Sequence, residues 1–77
     1  MHIVIAKVNE NLFDGEAASM TLPGAEGQLT VLPEHMPLIT TLKEGVITVI
    51  QKGESDQTFA IEGGVLEVRR DGATVIL

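Results

Sequence analysis

The 77-residue sequence contains no cysteine, no tryptophan and no tyrosine. Without cysteine there is no disulfide staple, no thiolate metal site and no cysteine nucleophile. Phe13 and Phe59 are the only aromatic residues. Stacking platforms for single-stranded nucleic acid are therefore nearly absent, and the core has to come from Val, Ile and Leu. Cations are scarce as well: five Lys and Arg stand against eleven Asp and Glu, for a net charge of −6. Phosphate backbones and anionic lipid surfaces are poor partners for that balance, so no nucleic-acid partner is expected. No apolar stretch approaches the ~20 residues that cross a bilayer. The apolar run that opens the chain is too short for a signal sequence, and Lys7 follows it instead of preceding it. The expectation is a cytosolic protein, or one held at a membrane through a partner.

What is present reads as one domain over residues 1–77. Hydrophobic residues make up 44% and charged residues 21%, ordinary globular usage that argues against disorder. Short apolar segments alternate with turn signals from end to end. His2 to Val8 is β-branched on both faces, as in a strand covered on two sides or at a partner interface. Asp14-Gly15 reads as a turn. Glu16 to Leu22, Gln28 to Leu32, Leu38 to Leu42, Val46 to Gln51, Gln57 to Glu62, Val65 to Arg70 and Ala73 to Leu77 follow as strands with a period of two. Pro23-Gly24, Glu44-Gly45 and Asp71-Gly72 punctuate them, and Gly63-Gly64 reads as a bend or bulge. Pro33 to Pro37 reads as a stiff loop, because each proline fixes its own φ and biases its predecessor away from helix. No window carries a helical period. The pattern predicts an all-β fold, a sandwich or barrel with turns every ~8–12 residues.

Residues with catalytic chemistry do not cluster in the sequence. His2 and His35 lack metal-ligand spacing, and neither Ser19 nor Ser55 sits in a glycine-flanked nucleophile elbow. Gly24-Ala25-Glu26-Gly27 has two glycines but an acid where a phosphate would sit, and no helix follows it. No catalytic residue, metal or cofactor is expected. His35 reads as a turn residue bonded to local backbone, or as a contact displayed on a loop. Met20, Leu29, Val31, Phe59 and Leu66 read as core. A biotinyl or lipoyl carrier would also be all-β, acidic and of this length. The lysines Lys7, Lys43 and Lys52 lie in none of the triplets that such carriers modify, and Lys43 is the nearest candidate.

Two segments carry a resemblance. Residues 22–45 read Leu-Pro-Gly-Ala-Glu-Gly-Gln-Leu-Thr-Val-Leu-Pro-Glu-His-Met-Pro-Leu-Ile-Thr-Thr-Leu-Lys-Glu-Gly, and residues 61–68 read Ile-Glu-Gly-Gly-Val-Leu-Glu-Val. Together with Phe13-Asp14-Gly15 and Thr74-Val75-Ile76 they resemble, in order and spacing, the epsilon subunit of F-type ATP synthases (the delta subunit of the mitochondrial enzyme). The resemblance covers essentially the whole chain. It implies a two-sheet antiparallel β-sandwich of about ten short strands. It also implies a non-catalytic central-stalk subunit that docks on the gamma subunit and on the polar loops of the c-ring, and couples rotation driven by protons or sodium ions to ATP synthesis. Its place would be the cytoplasmic face of a bacterial inner membrane, peripheral and held there only through the complex, with no homo-oligomer required.

By the same resemblance Glu26, Gly27 and Gln28 match the edge facing the c-ring, with neighbouring Glu34 a second partner for the arginines of its loops. His35, Thr40 and Lys7 fall where the family faces gamma. The sequence departs from the family at Thr30, Gln28 and the pair Arg69-Arg70. It closes at Leu77 without the family's C-terminal helical hairpin, so inhibition and ATP sensing are not implied for these residues. A free-standing adaptor that reuses the sandwich is the remaining alternative.

Overall fold

The computed structural model describes residues 1–77, and every regular element in it is a strand. In chain order they are β1 (His2–Lys7), β2 (Glu10–Glu16), β3 (Ser19–Gly24), β4 (Gly27–Val31), β5 (Leu38–Leu42), β6 (Gly45–Ile50), β7 (Gln57–Ile61), β8 (Gly64–Arg69) and β9 (Gly72–Ile76). The all-β expectation holds, with nine strands. No helix is long and apolar enough to cross a membrane.

The hydrogen-bonded path runs β2-β1-β9-β8-β5-β3-β6-β7, with β4 added to β3. One link in it is a single residue pair, Gly24 with Leu42 between β3 and β5. That link divides the path into a five-stranded leaf, β2-β1-β9-β8-β5, and a four-stranded leaf, β4-β3-β6-β7. β3 shares one edge between two partners: residues 19–21 pair with β6, and Gly24 meets β5. The leaves separate where β3 changes partner. At the far ends of the path Phe13 of β2 and Phe59 of β7 meet edge to face, with ring centroids 6.2 Å apart and planes at 71°. The curled sheet thus closes on its own two edges, as a sandwich must to bury both inner faces.

Alternation decides what those faces carry. In the five-stranded leaf, Thr40, Leu66, Val75, Ile5 and Phe13 form one inward row, and Leu38, Val68, Ala73, Ile3 and Gly15 another. Met20, Leu22, Val31, Ile47 and Val49 face them from the other leaf and are fully buried. Met20, Val31 and Leu66 are core as expected, and Leu29 and Phe59 pack against it half-buried. No polar or charged side chain is buried. Whatever this molecule recognises, it recognises on its surface.

Three features differ from the expectation. Asp14-Gly15 is not a turn. The chain reverses at Val8–Asn9, and Asp14 and Gly15 lie inside β2 opposite Val4 and Ile3. A bulge at Ile5/Ala6 shifts the register of this hairpin and inserts Leu12, which breaks the period of two that a sequence scan relies on. β1 and β9 pair in parallel, so the five-stranded leaf is not wholly antiparallel. β3 also runs on through Pro23 and Gly24, and its turn falls at Ala25–Glu26.

Glycine makes the junction of the leaves possible. A Cβ on Gly24 would lie 2.7 Å from the Gly27 carbonyl and 2.6 Å from Leu29 Cδ2. At Gly64 φ is +157°, and a Cβ would lie 2.7 Å from the Ile76 carbonyl. Both glycines stand at the Leu42 end of β5, paired with Leu42 from either side. No other residue allows three backbones to come this close.

Candidate docking surfaces

The residues singled out in the sequence separate into two groups at opposite ends of the molecule. The first surrounds the β3–β4 hairpin. Gly24 pairs with Gly27, and Ala25–Glu26 form a two-residue turn whose Glu26 side chain is exposed. The Ala25 N–H donates to the Thr41 carbonyl at 3.0 Å, and the Lys43 N–H donates to the Pro23 carbonyl at 2.9 Å. These bonds tie the hairpin to β5. Gln28 is exposed beside Pro23 and lines a shallow groove with Lys43, Gly45 and Thr48. Lys7, at the end of β1, stands at this same end and borders a second groove with Glu62, Gly63 and Leu77.

The second group is the loop that follows β4. The His35 N–H donates to the Leu32 carbonyl at 3.2 Å, which closes a β-turn with Pro33 and Glu34 at its centre. Glu34 has φ of +62° and is the only non-glycine residue with positive φ. Proline first and a positive φ second is the pattern of a type II turn, in which the second position ordinarily calls for glycine. The His35 ring is half-buried, and its Nδ1 lies 2.7 Å from the Met36 carbonyl, so its Nδ1–H donates there. The reading of His35 as a turn residue bonded to local backbone holds, and the ring stays partly accessible.

Glu26 and Glu34 are neighbours in sequence but not in space. β4 runs between them, and its five residues carry the chain ~17 Å from one end to the other. Glu34 stands with His35, and Lys7 stands at the Glu26 end. Thr40 is inward and half-buried, while Ile39 beside it is 72% exposed. His2 pairs with Asp14 at 2.6 Å across the β1–β2 ladder, apart from His35, and no three His, Asp or Glu side chains gather into a metal-binding group.

The outer faces of the two leaves differ in charge. Thr30, Thr21, Thr48 and Thr58 form a row across all four strands of the smaller leaf, with Gln28, Pro23, Val46 and Ala60 nearby. This face carries no charged side chain within its strands. On the larger leaf Asp14, Val4, Thr74, Glu67 and Ile39 form one outward row. Beside that row Arg69 Nη1 donates to Glu67 Oε1 at 3.2 Å and to Thr74 Oγ1 at 3.0 Å. The exposed groove next to it, with Ile39 and Arg70, was not singled out in the sequence. The signal was available: Ile39 alternates with Thr40, and Arg69-Arg70 departs from the pattern.

The surface thus offers an acidic tip held by glycines, a second tip on a proline turn and shallow open grooves around a wholly apolar interior. Comparison with known proteins gives the family. Residues 1–77 match the family described as "ATP synthase, Delta/Epsilon chain, beta-sandwich domain". The chain belongs to this family. It is 38% identical over 77 residues to an ATP synthase epsilon chain of Herminiimonas arsenicoxydans, covering 99% of this chain and 55% of that protein. It is 34% identical over 76 residues to that of Bordetella avium (strain 197N), covering 99% and 54%. The chain thus spans about half the length of the curated relatives it matches. A chain of the Euglena gracilis mitochondrial ATP synthase, in a structure of OSCP, F1 and c-ring, superposes with a TM-score of 0.88 at 22% identity, over 96% of this chain and 48% of that one. That likeness shows the fold.

Proposed function

We propose that this domain is a non-catalytic docking element of the central stalk of an F-type ATP synthase, linking the gamma subunit to the c-ring so that ring rotation reaches the catalytic head. The observation that carries the reading is the family match over all of residues 1–77. The rest of the molecule fits it: the buried residues are entirely apolar, and every charged side chain lies at the surface. Coupling requires a rigid body with complementary surfaces, and the two leaves locked through Gly24, Leu42 and Gly64 supply one.

Glu26, Gly27 and Gln28 would face the polar loops of the c-ring, where the Glu26 carboxylate pairs with a basic loop residue. His35, on its proline turn, would face gamma. Glu34 shares that turn and so belongs with the gamma contact, while Lys7 stands at the end that Glu26 occupies. Thr40 is turned inward and holds the register that displays Ile39. Charges at such rims set orientation and association rate more than affinity. The domain would then be peripheral, held at the membrane through the complex and needing no second copy of itself.

The carrier alternative loses its best residue. Lys43 lies in the link between β5 and β6, strands that do not pair with each other, and its N–H is bonded to Pro23. It is therefore not at a hairpin tip, where a carrier lysine has to be displayed.

The deciding experiment is a titration of the purified domain against purified gamma subunit, with a known epsilon chain run in parallel. A complex with gamma is the expected result. No complex under conditions where the known epsilon chain binds would overturn the reading. The c-ring contact is checked by reconstituting the domain on gamma–c-ring complexes, where Glu26→Lys should weaken retention without changing binding to gamma alone.

A further inference from the structure

Two of the five cations, Arg69 and Arg70, stand side by side where β8 turns into β9. Their surroundings differ. Arg69 is half-buried and engaged on three sides, by Glu67 at 3.2 Å, Thr74 at 3.0 Å and Asp71 Oδ1 at 3.5 Å. Both nearby carboxylates are therefore held by Arg69. Arg70 is exposed, and no acidic side chain pairs with it. Beside it runs a shallow groove of about 540 Å³ lined by Pro37, Leu38, Ile39, Glu67, Val68, Arg69 and Arg70. Exposed apolar side chains border it: Ile39 is 72% exposed, Met36 on the adjoining loop 78%, and Leu38, at the open end of its inward row, 38%.

A free guanidinium next to exposed aliphatic side chains calls for a ligand with both characters. Arginine offers a planar fork that matches a carboxylate, and its weak hydration lowers the cost of drying it at an interface. The apolar lip excludes water as a partner approaches, which strengthens the ion pair that forms beside it. The remainder of the chain repels acidic partners, since its net charge is −6. A carboxylate at Arg70 therefore fixes one orientation among many that the surface disfavours. A lipid headgroup fits less well. Membrane binding through charge needs a cluster of several basic residues, and here a single free arginine sits on an acidic body.

We propose that the groove at the paired ends of β5 and β8 receives an apolar side chain from the stalk partner, and that a carboxylate a few residues away on the same segment pairs with Arg70. The proposal rests on the gamma-docking reading above and names the chemistry of that contact.

The test measures affinity for purified gamma subunit with wild type, Arg70→Lys, Arg70→Glu and Ile39→Asp, after thermal melts confirm that each variant folds. Arg70→Glu should weaken binding about tenfold or more, and Arg70→Lys should keep part of the affinity because it keeps the charge. Ile39→Asp should weaken it comparably. Raising salt from about 50 mM to about 300 mM should weaken the wild type more than Arg70→Glu. If wild type fails to bind gamma, the docking reading falls and this proposal with it. If wild type binds and Arg70→Glu stays within about twofold of it, the carboxylate pairing is overturned while docking stands. Should Arg70 instead be needed for binding to vesicles rich in anionic phospholipid and not for gamma, the protein ligand is overturned. The salt comparison on wild type alone decides the matter if Arg70→Glu does not fold, because an affinity insensitive to salt excludes the pair.

Discussion

At one end of the sandwich Glu26 stands on a turn between Gly24 and Gly27; at the other Glu34 stands on a turn between Pro33 and His35. Both present a carboxylate to solvent, and they are held by different physics. The glycine end is held by close approach. Its backbones pass within a distance that any Cβ would obstruct, so its geometry belongs to the fold. The proline end is held by restriction. Pro33 and Pro37 remove freedom that the unfolded chain would otherwise have, and the turn keeps Glu34 in a left-handed conformation that costs about 1–2 kcal/mol. A strained, acidic, exposed turn on a stiff loop suits display, whereas a crowded glycine junction suits stability. Four substitutions probe that contrast.

Gly64→Val should have the largest effect. It combines a backbone overlap at Ile76 with a φ of +157°, for an expected loss of about 3 kcal/mol or more. Urea denaturation reads this directly, and an unchanged midpoint would show that the junction relaxes. Gly24→Ala comes next, at about 2 kcal/mol, because Leu29 can swing aside but the Gly27 carbonyl cannot. Hydrogen exchange should then show weaker protection at the β3–β4 hairpin than in β8 and β9.

At the proline end the sign reverses. Glu34→Gly should stabilise by about 0.5–1 kcal/mol, since relief of the left-handed strain exceeds the added freedom of glycine in the unfolded chain. A destabilised variant would mean that the Glu34 side chain contributes more than its backbone costs. The smallest effect belongs to Glu26→Lys, within about 0.5 kcal/mol, because the side chain is exposed and its turn is set by Gly24 and Gly27. A melting temperature lowered by many degrees in this variant would place Glu26 among the structural residues after all.

The legible parts of the fold were those with a local cause. Strands β3, β4, β6, β7, β8 and β9 announce themselves through alternation and through the turn residues between them. β2 was not legible. Asp14-Gly15 carries a strong turn signal, and yet Asp14 lies opposite Val4 and bonds His2, while the true turn at Val8–Asn9 contains neither glycine nor proline. The bulge that inserts Leu12 is a response to pairing with β1, so it leaves no periodic trace in β2 itself. The candidate site was legible by type more than by place. Glu26, Glu34, His35 and Lys7 are all surface residues on turns or strand ends, as read. Their division between two ends follows from the crossing of β4, which a list of nearby sequence numbers conceals.

The sequence by itself determined the class of this protein: all-β, acidic, its interior apolar, and marked by motifs that identify its family. These follow from composition, from a period of two and from turn chemistry, all of which act within a few residues. The tertiary structure decided the parallel pairing of β1 with β9, the junction at Gly24 and Leu42, the separation of Glu26 from Glu34, and the groove beside Arg70. Each depends on contacts between segments far apart in the chain, and alternation tells a residue which face to take but not which strand will lie beside it.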